Sequence, residues 1–141
     1  MAKNLLLDSG FWFALYDSRD RYHDEAQILA DLLDFHNLVI PWPSLYETLN
    51  TRFVRRQIWL DRFRDYLTRA ITVFLADEPY RQNALDSLLG MNFTGRFLSL
   101  VDTVLRLAID HPYIHIDAII TFNPIDFHEI CAAKGVEMIT I

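Results

Sequence analysis

Short apolar, strand-like runs alternate along this chain with segments of helical period, and nothing else in the sequence restricts its fold as much. Residues 5–7 (Leu-Leu-Leu), 38–40 (Leu-Val-Ile), 71–75, 118–122 and 136–141 read as strands, several of them closed by turn or breaker residues such as Ser9-Gly10 and Pro41 with Pro43. Between them, residues 10–17, 23–35, 44–56, 58–69, 79–89, 98–110 and 124–133 are predicted helices. In the second of these, Ala26, Ile28, Leu29, Leu32 and Leu33 recur at helical spacing. Strands that are apolar throughout belong to sheets covered on both faces, and strand–helix–strand alternation makes such sheets parallel. The expected class is α/β: a three-layer α/β/α sandwich around a short parallel sheet of four or five strands. The 141 residues hold no linker, repeat or low-complexity stretch and read as a single domain, 1–141.

Composition excludes several function classes. With 52% hydrophobic and 13% aromatic residues the chain should fold. No apolar run reaches the roughly 18 residues of a membrane helix, and three leucines before Asp8 are too few for a signal peptide. The single cysteine, Cys131, excludes an internal disulfide and cysteine-rich zinc motifs. A cytoplasmic protein is expected. The net charge of −6 argues against a nucleic-acid coat held by bulk charge. Eleven of the thirteen basic residues are nevertheless arginine, including Arg52, Arg55, Arg56, Arg62, Arg64 and Arg69. Arginine suits bidentate phosphate contacts, although Asp61 and Asp65 as local partners would explain the cluster equally well. Ser9-Gly10 lacks the G-x-S-x-G setting of a hydrolase nucleophile, and four glycines leave no phosphate-binding loop. His111 and His115 are separated by Pro112 and make a poor zinc pair. Trp12, Trp42 and Trp59 read as core or interface residues.

The carboxylates are more informative. In open α/β sheets, sites collect at the carboxyl ends of strands, which places Asp8 and Asn123 on one edge. Asp8 could equally be a helix N-cap. Ser44-x-x-Glu47 fits a capping box. On a helical projection Glu47 lies opposite Leu45, Leu49 and Phe53, with Thr51 and Arg55 following at one-turn intervals. Ser99-x-x-Asp102 also fits a capping box, in a helix apolar nearly all round and therefore expected to be buried. An ionised Asp102 there needs a metal or a partner, and Arg106, one turn on, could be that partner. Asn123-Pro124-Ile125-Asp126 reads as a helix start. Together these acids offer hard oxygen donors of the kind that suit Mg²⁺ or Mn²⁺, ions able to act on a phosphodiester.

The opening Leu-Leu-Leu-Asp8-Ser9-Gly-Phe-Trp-Phe-Ala-Leu, followed by Asp20-Arg-Tyr-His23, Ser44-Leu-Tyr-Glu47-Thr-Leu, Ser99-Leu-Val-Asp102 and Thr121-Phe-Asn123-Pro-Ile-Asp126-Phe127, resembles the PIN-domain family over residues 4–141. Many small members are VapC-type toxins. The resemblance implies a Mg²⁺- or Mn²⁺-dependent ribonuclease in which water attacks RNA phosphate, inhibited by a small antitoxin that covers the acidic site. Carried over by position, the metal ligands are Asp8, Glu47 (early in the third helix) and Asp102. The fourth ligand comes from Asp126 or Asn123. Asn123 stands where many members have aspartate, while Asp126 carries the charge and lies one turn on. Ser9 and Thr121 would orient ligands or water. Arg55 is the candidate for substrate phosphate, and a homodimer is expected. The alternative is a catalytically inactive PIN-like module that only binds RNA or protein.

Overall fold

The triple leucine at 5–7 is buried on both sides because it runs down the middle of the sheet. The computed structural model describes residues 1–90 and 98–139. Strands β1 (Asn4–Leu7), β2 (Asn37–Pro41), β3 (Thr72–Leu75), β4 (Ala118–Ile120) and β5 (Glu137–Ile139) form one parallel sheet in the order β3-β2-β1-β4-β5. Leu5 stands between Leu38 and Ala118, and Leu6 between Val39 and Ile119.

Successive strand side chains point to opposite faces, and this sorts the helices into two layers. Leu5, Leu7, Leu38, Ile40 and Ile120 pack with α1 (Ser9–Tyr16), α2 (His23–Leu33), α3 (Trp42–Thr48), α4 (Thr51–Val54) and α5 (Gln57–Leu67). Leu6, Val39 and Ile119 pack with α6 (Glu78–Gly90), α7 (Leu100–Asp110) and α8 (His128–Lys134). The expected three-layer α/β/α sandwich is the fold. The expected strand at 136–141 reaches beyond the described residues at 140–141. Phe97, in the run before α7, also lies outside them. Among the described residues, no helix is long and apolar enough to cross a membrane.

Several local expectations are corrected. The helix expected over 44–56 is two helices. Pro41 caps α3 and Pro43 lies in its first turn, so the helix starts before Ser44. Ser44 is therefore not an N-cap but a buried residue inside the helix. The chain then breaks at Leu49, and the Asn50 side chain accepts from Phe53 N–H at 3.0 Å to begin α4. That break dissolves the one-turn register linking Glu47 to Arg55. The helix expected at 124–133 is a 3-10 turn (Pro124–Asp126) followed by α8, and the Asn123 side chain makes no cap bond. Finally, α7 is not buried all round. Thr103, Val104, Leu105, Ala108 and Ile109 are buried while Leu100 is exposed.

Candidate functional site

The first half of the chain winds outward from β1 through β2 to β3, and the second half returns to lay β4 on the other side of β1. The crevice at the carboxyl ends of β1 and β4 is thus the topological switch point, where α/β sheets hold their ligands. Asp8 leaves β1 there and Thr121 leaves β4; the ladder extends by one more bond, from Asp8 N–H to the Ile120 carbonyl at 3.3 Å.

Asp8 is the N-cap of α1 and is only 5% exposed. Its Oδ1 accepts from Ser9 N–H at 2.8 Å, and its Oδ2 accepts from Thr121 Oγ1 at 3.1 Å. Thr121, wholly buried, in turn accepts from Asn123 N–H at 3.0 Å. These bonds fix the carboxylate plane without neutralising it. Ser9 turns the other way: its hydroxyl donates to Glu47 Oε1 at 2.8 Å. Glu47 is exposed and sits near the end of α3, not at its beginning. Asp102 lies in the first turn of α7, where Ser99 is the N-cap and accepts from Asp102 N–H at 3.0 Å. That half of the expected capping box is present.

Electrostatics tie the acids together. Burial, then repulsion from Asp102 and more weakly from Glu47, pushes the Asp8 carboxyl up to about 6 against the pull of its two hydrogen bonds. Burial also raises Asp102, with Asp126 and Glu47 adding repulsion. The four acids therefore share one neighbourhood. Arg106, the alternative partner for Asp102, instead donates to the Asp126 carbonyl at 2.7 Å and pairs with Glu129 at 2.9 Å. Asn123 is exposed, and its N–H is spent on Thr121. The two histidines set aside above are engaged locally, His111 with Asp110 and His115 with Asp117.

The donor set is all oxygen and net negative, which suits a hard divalent cation. Among the described residues, no three His, Cys, Asp or Glu side chains stand close enough together to hold a metal ion. The arginines are dispersed. Arg52 pairs with Asp17, Arg64 with Asp61 and Arg69 with Asp34, while Arg56 lies 5.0 Å from the Trp59 ring centre. Arg55 is exposed just after α4. Sequence reading missed one feature: Trp42, Tyr46 and Phe74 form an exposed aromatic group, with Trp42 5.7 Å from Phe74 between ring centres. Trp42 reads from the sequence as core or interface, and it stands exposed on α3 beside Phe74 of the edge strand β3.

No family model matches the chain, and no curated protein matches it in sequence. Two solved structures share its architecture. VapC20 of Mycobacterium tuberculosis, a Sarcin-Ricin loop cleaving toxin, superposes with a TM-score of 0.66 at 19% identity, over 92% of this chain and 94% of that one. VapBC2 from Rickettsia felis, solved bound to a DNA fragment from its promoter, gives 0.53 at 16% identity, over 96% and 97%. Identity at this level speaks for the fold, and the parallel order β3-β2-β1-β4-β5 with Asp8 at its switch point agrees with it. This chain has the PIN-domain fold in the form found in VapC toxins.

Proposed function

We propose that the chain is a Mg²⁺- or Mn²⁺-dependent endoribonuclease that serves as the toxin of a type II toxin–antitoxin pair. The observation that carries this reading is Asp8: a buried carboxylate at the switch point, repelled by Asp102 and Glu47 and held in place by Ser9 and Thr121. Such a group is costly in isolation and becomes favourable beside a cation. Asp8, Glu47, Asp102 and Asp126 would hold the metal. When bound, it would lower the pKa of water and stabilise the leaving oxygen of the phosphodiester. Ser9 holds Glu47 and Thr121 holds Asp8, so two of the four proposed ligands are fixed by hydrogen bonds before any ion arrives. RNA as substrate is supported by the neighbour that cleaves the Sarcin-Ricin loop, and an antitoxin partner by the VapBC assembly. Cleavage is expected to leave 5′-phosphate and 3′-hydroxyl ends.

Thermal unfolding with and without millimolar Mn²⁺ tests the reading. At 100 times its Kd the ion stabilises by about 2.7 kcal/mol, which for a chain of this size is a rise of several degrees in Tm. Metal-dependent cleavage of a labelled single-stranded RNA should accompany it. No shift and no cleavage would leave the inactive binding module as the reading. Arg55, exposed after α4, is the proposed phosphate contact. Arg55→Ala should weaken RNA binding and reduce the slope of log affinity against log salt by about one. An unchanged slope would remove Arg55 from the interface. The expected homodimer would cover the exposed Trp42, Tyr46 and Phe74. Light scattering at tens of micromolar should give twice the chain mass, and a monomer would count against it.

A further inference from the structure

Arg106 has an unusual task for a side chain on the helix that carries Asp102. It lies one turn beyond that acid on α7 but reaches across to the chain that follows β4. Its Nη1 donates to the main-chain carbonyl of Asp126 at 2.7 Å, and the same nitrogen lies 2.9 Å from Glu129 Oε1. The side chain is 23% exposed, so these contacts are partly shielded from water. One guanidinium therefore joins α7 to the 3-10 turn and to the second residue of α8.

The turn is short and its own hydrogen bonds are few. It is three residues long and held by Asp126 N–H to Asn123 and Phe127 N–H to Pro124, both at 3.1 Å. Such 3-10 turns have poor hydrogen-bond geometry. Behind it Phe127 is buried and anchors the chain to the core. The contact uses the Asp126 carbonyl and leaves its carboxylate available. Repulsion from Asp126 is among the causes that raise the Asp102 carboxyl, so the turn stands near the first turn of α7. Arg106 thus binds the backbone of one acid without pairing with the carboxylate of either.

We infer that Arg106 is a positioning residue that fixes Asp126 against Asp102, making Asp126 rather than Asn123 the fourth metal-facing group. This inference rests on the nuclease reading above. Arginine suits the role because its charge is permanent and its planar fork can hold a carbonyl and a carboxylate together.

The sign of the effect separates positioning from simple charge. Removing a cation near an acidic metal site should strengthen Mn²⁺ binding if only Coulomb attraction and repulsion mattered. Positioning requires the opposite. Mn²⁺ affinity would be measured by electron paramagnetic resonance on the full chain, for the wild type, Arg106→Ala, Arg106→Lys, Asp126→Asn and the Arg106→Ala/Asp126→Asn double variant. Arg106→Ala is expected to weaken Mn²⁺ binding about 10-fold, in the range found for groups that orient metal ligands. In the Asp126→Asn background the same change should cost less than about 3-fold, because its route runs through Asp126. Arg106→Lys keeps the charge and one donor, so it guards against a variant that fails to fold and should fall between wild type and alanine. Tighter or unchanged binding in Arg106→Ala, or an equal loss in both backgrounds, would overturn the inference while leaving the nuclease reading intact. If the wild type itself binds no Mn²⁺, the nuclease reading fails and this inference fails with it.

Discussion

Asp8→Asn is expected to abolish metal-dependent cleavage, by about 10³-fold or more, and at the same time to make the metal-free protein more stable at neutral pH. The two effects share one cause. The amide keeps the shape of the carboxylate and can still accept from Ser9 N–H, but it brings no charge to the crevice. The folded Asp8 carboxyl is held up at about 6 by burial and by Asp102, against a usual value near 3.8. A raised acid favours the folded state only while it is protonated. Its stabilising contribution is complete below the unfolded value near 4 and is lost as pH rises through about 6. Above that, the buried charge costs the wild type on the order of 2–3 kcal/mol relative to a neutral side chain. Urea titrations of both proteins in chelator at pH 5 and pH 7.5 would show it: the variant gains on the wild type mainly at the higher pH. Saturating Mn²⁺ should reverse the order at pH 7.5 by stabilising only the wild type. Equal stability at both pH values, or undiminished cleavage by the variant, would remove Asp8 from the centre of the mechanism.

Phe63→Ala should cost about 3–5 kcal/mol, a large loss for one substitution in the layer that carries α1. Phe63 is the one fully buried residue of α5, and the rest of that helix is exposed or half-buried. Its ring lies 4.6 Å from Trp12, 5.7 Å from Phe53 and 6.4 Å from Tyr16 between centres. Removing it opens a cavity among rings that cannot collapse without moving α1. Helix α1 begins at Asp8, so this aromatic cluster also sets where the acid stands. Urea unfolding in metal-free buffer would measure the loss. A cost below about 1 kcal/mol would mean that α5 is held by something other than this ring.

The sequence determined what short-range physics controls. Continuous apolar runs specified strands buried on both faces, and their alternation with helices specified a parallel sheet. Asp8 at the end of β1 and Ser99 as the cap of α7 were legible because strand ends and N-caps are written within a few residues. Even locally, competition blurred the text. Ser44 is a good cap, but Pro43 starts α3 before it, and Asn50 caps the separate helix α4. What lay beyond reach was every relation set by strand order. Asp8 and Thr121 are 113 residues apart and meet only because β4 returns to the side of β1. The pairing of Arg106 with the Asp126 turn instead of Asp102, and the exposure of Trp42 and Phe74 on the β3 edge, are of the same kind. Local patterns encode which face a residue buries, but not which distant residue it will meet. That choice is made by the packing of whole layers, and only the tertiary structure records it.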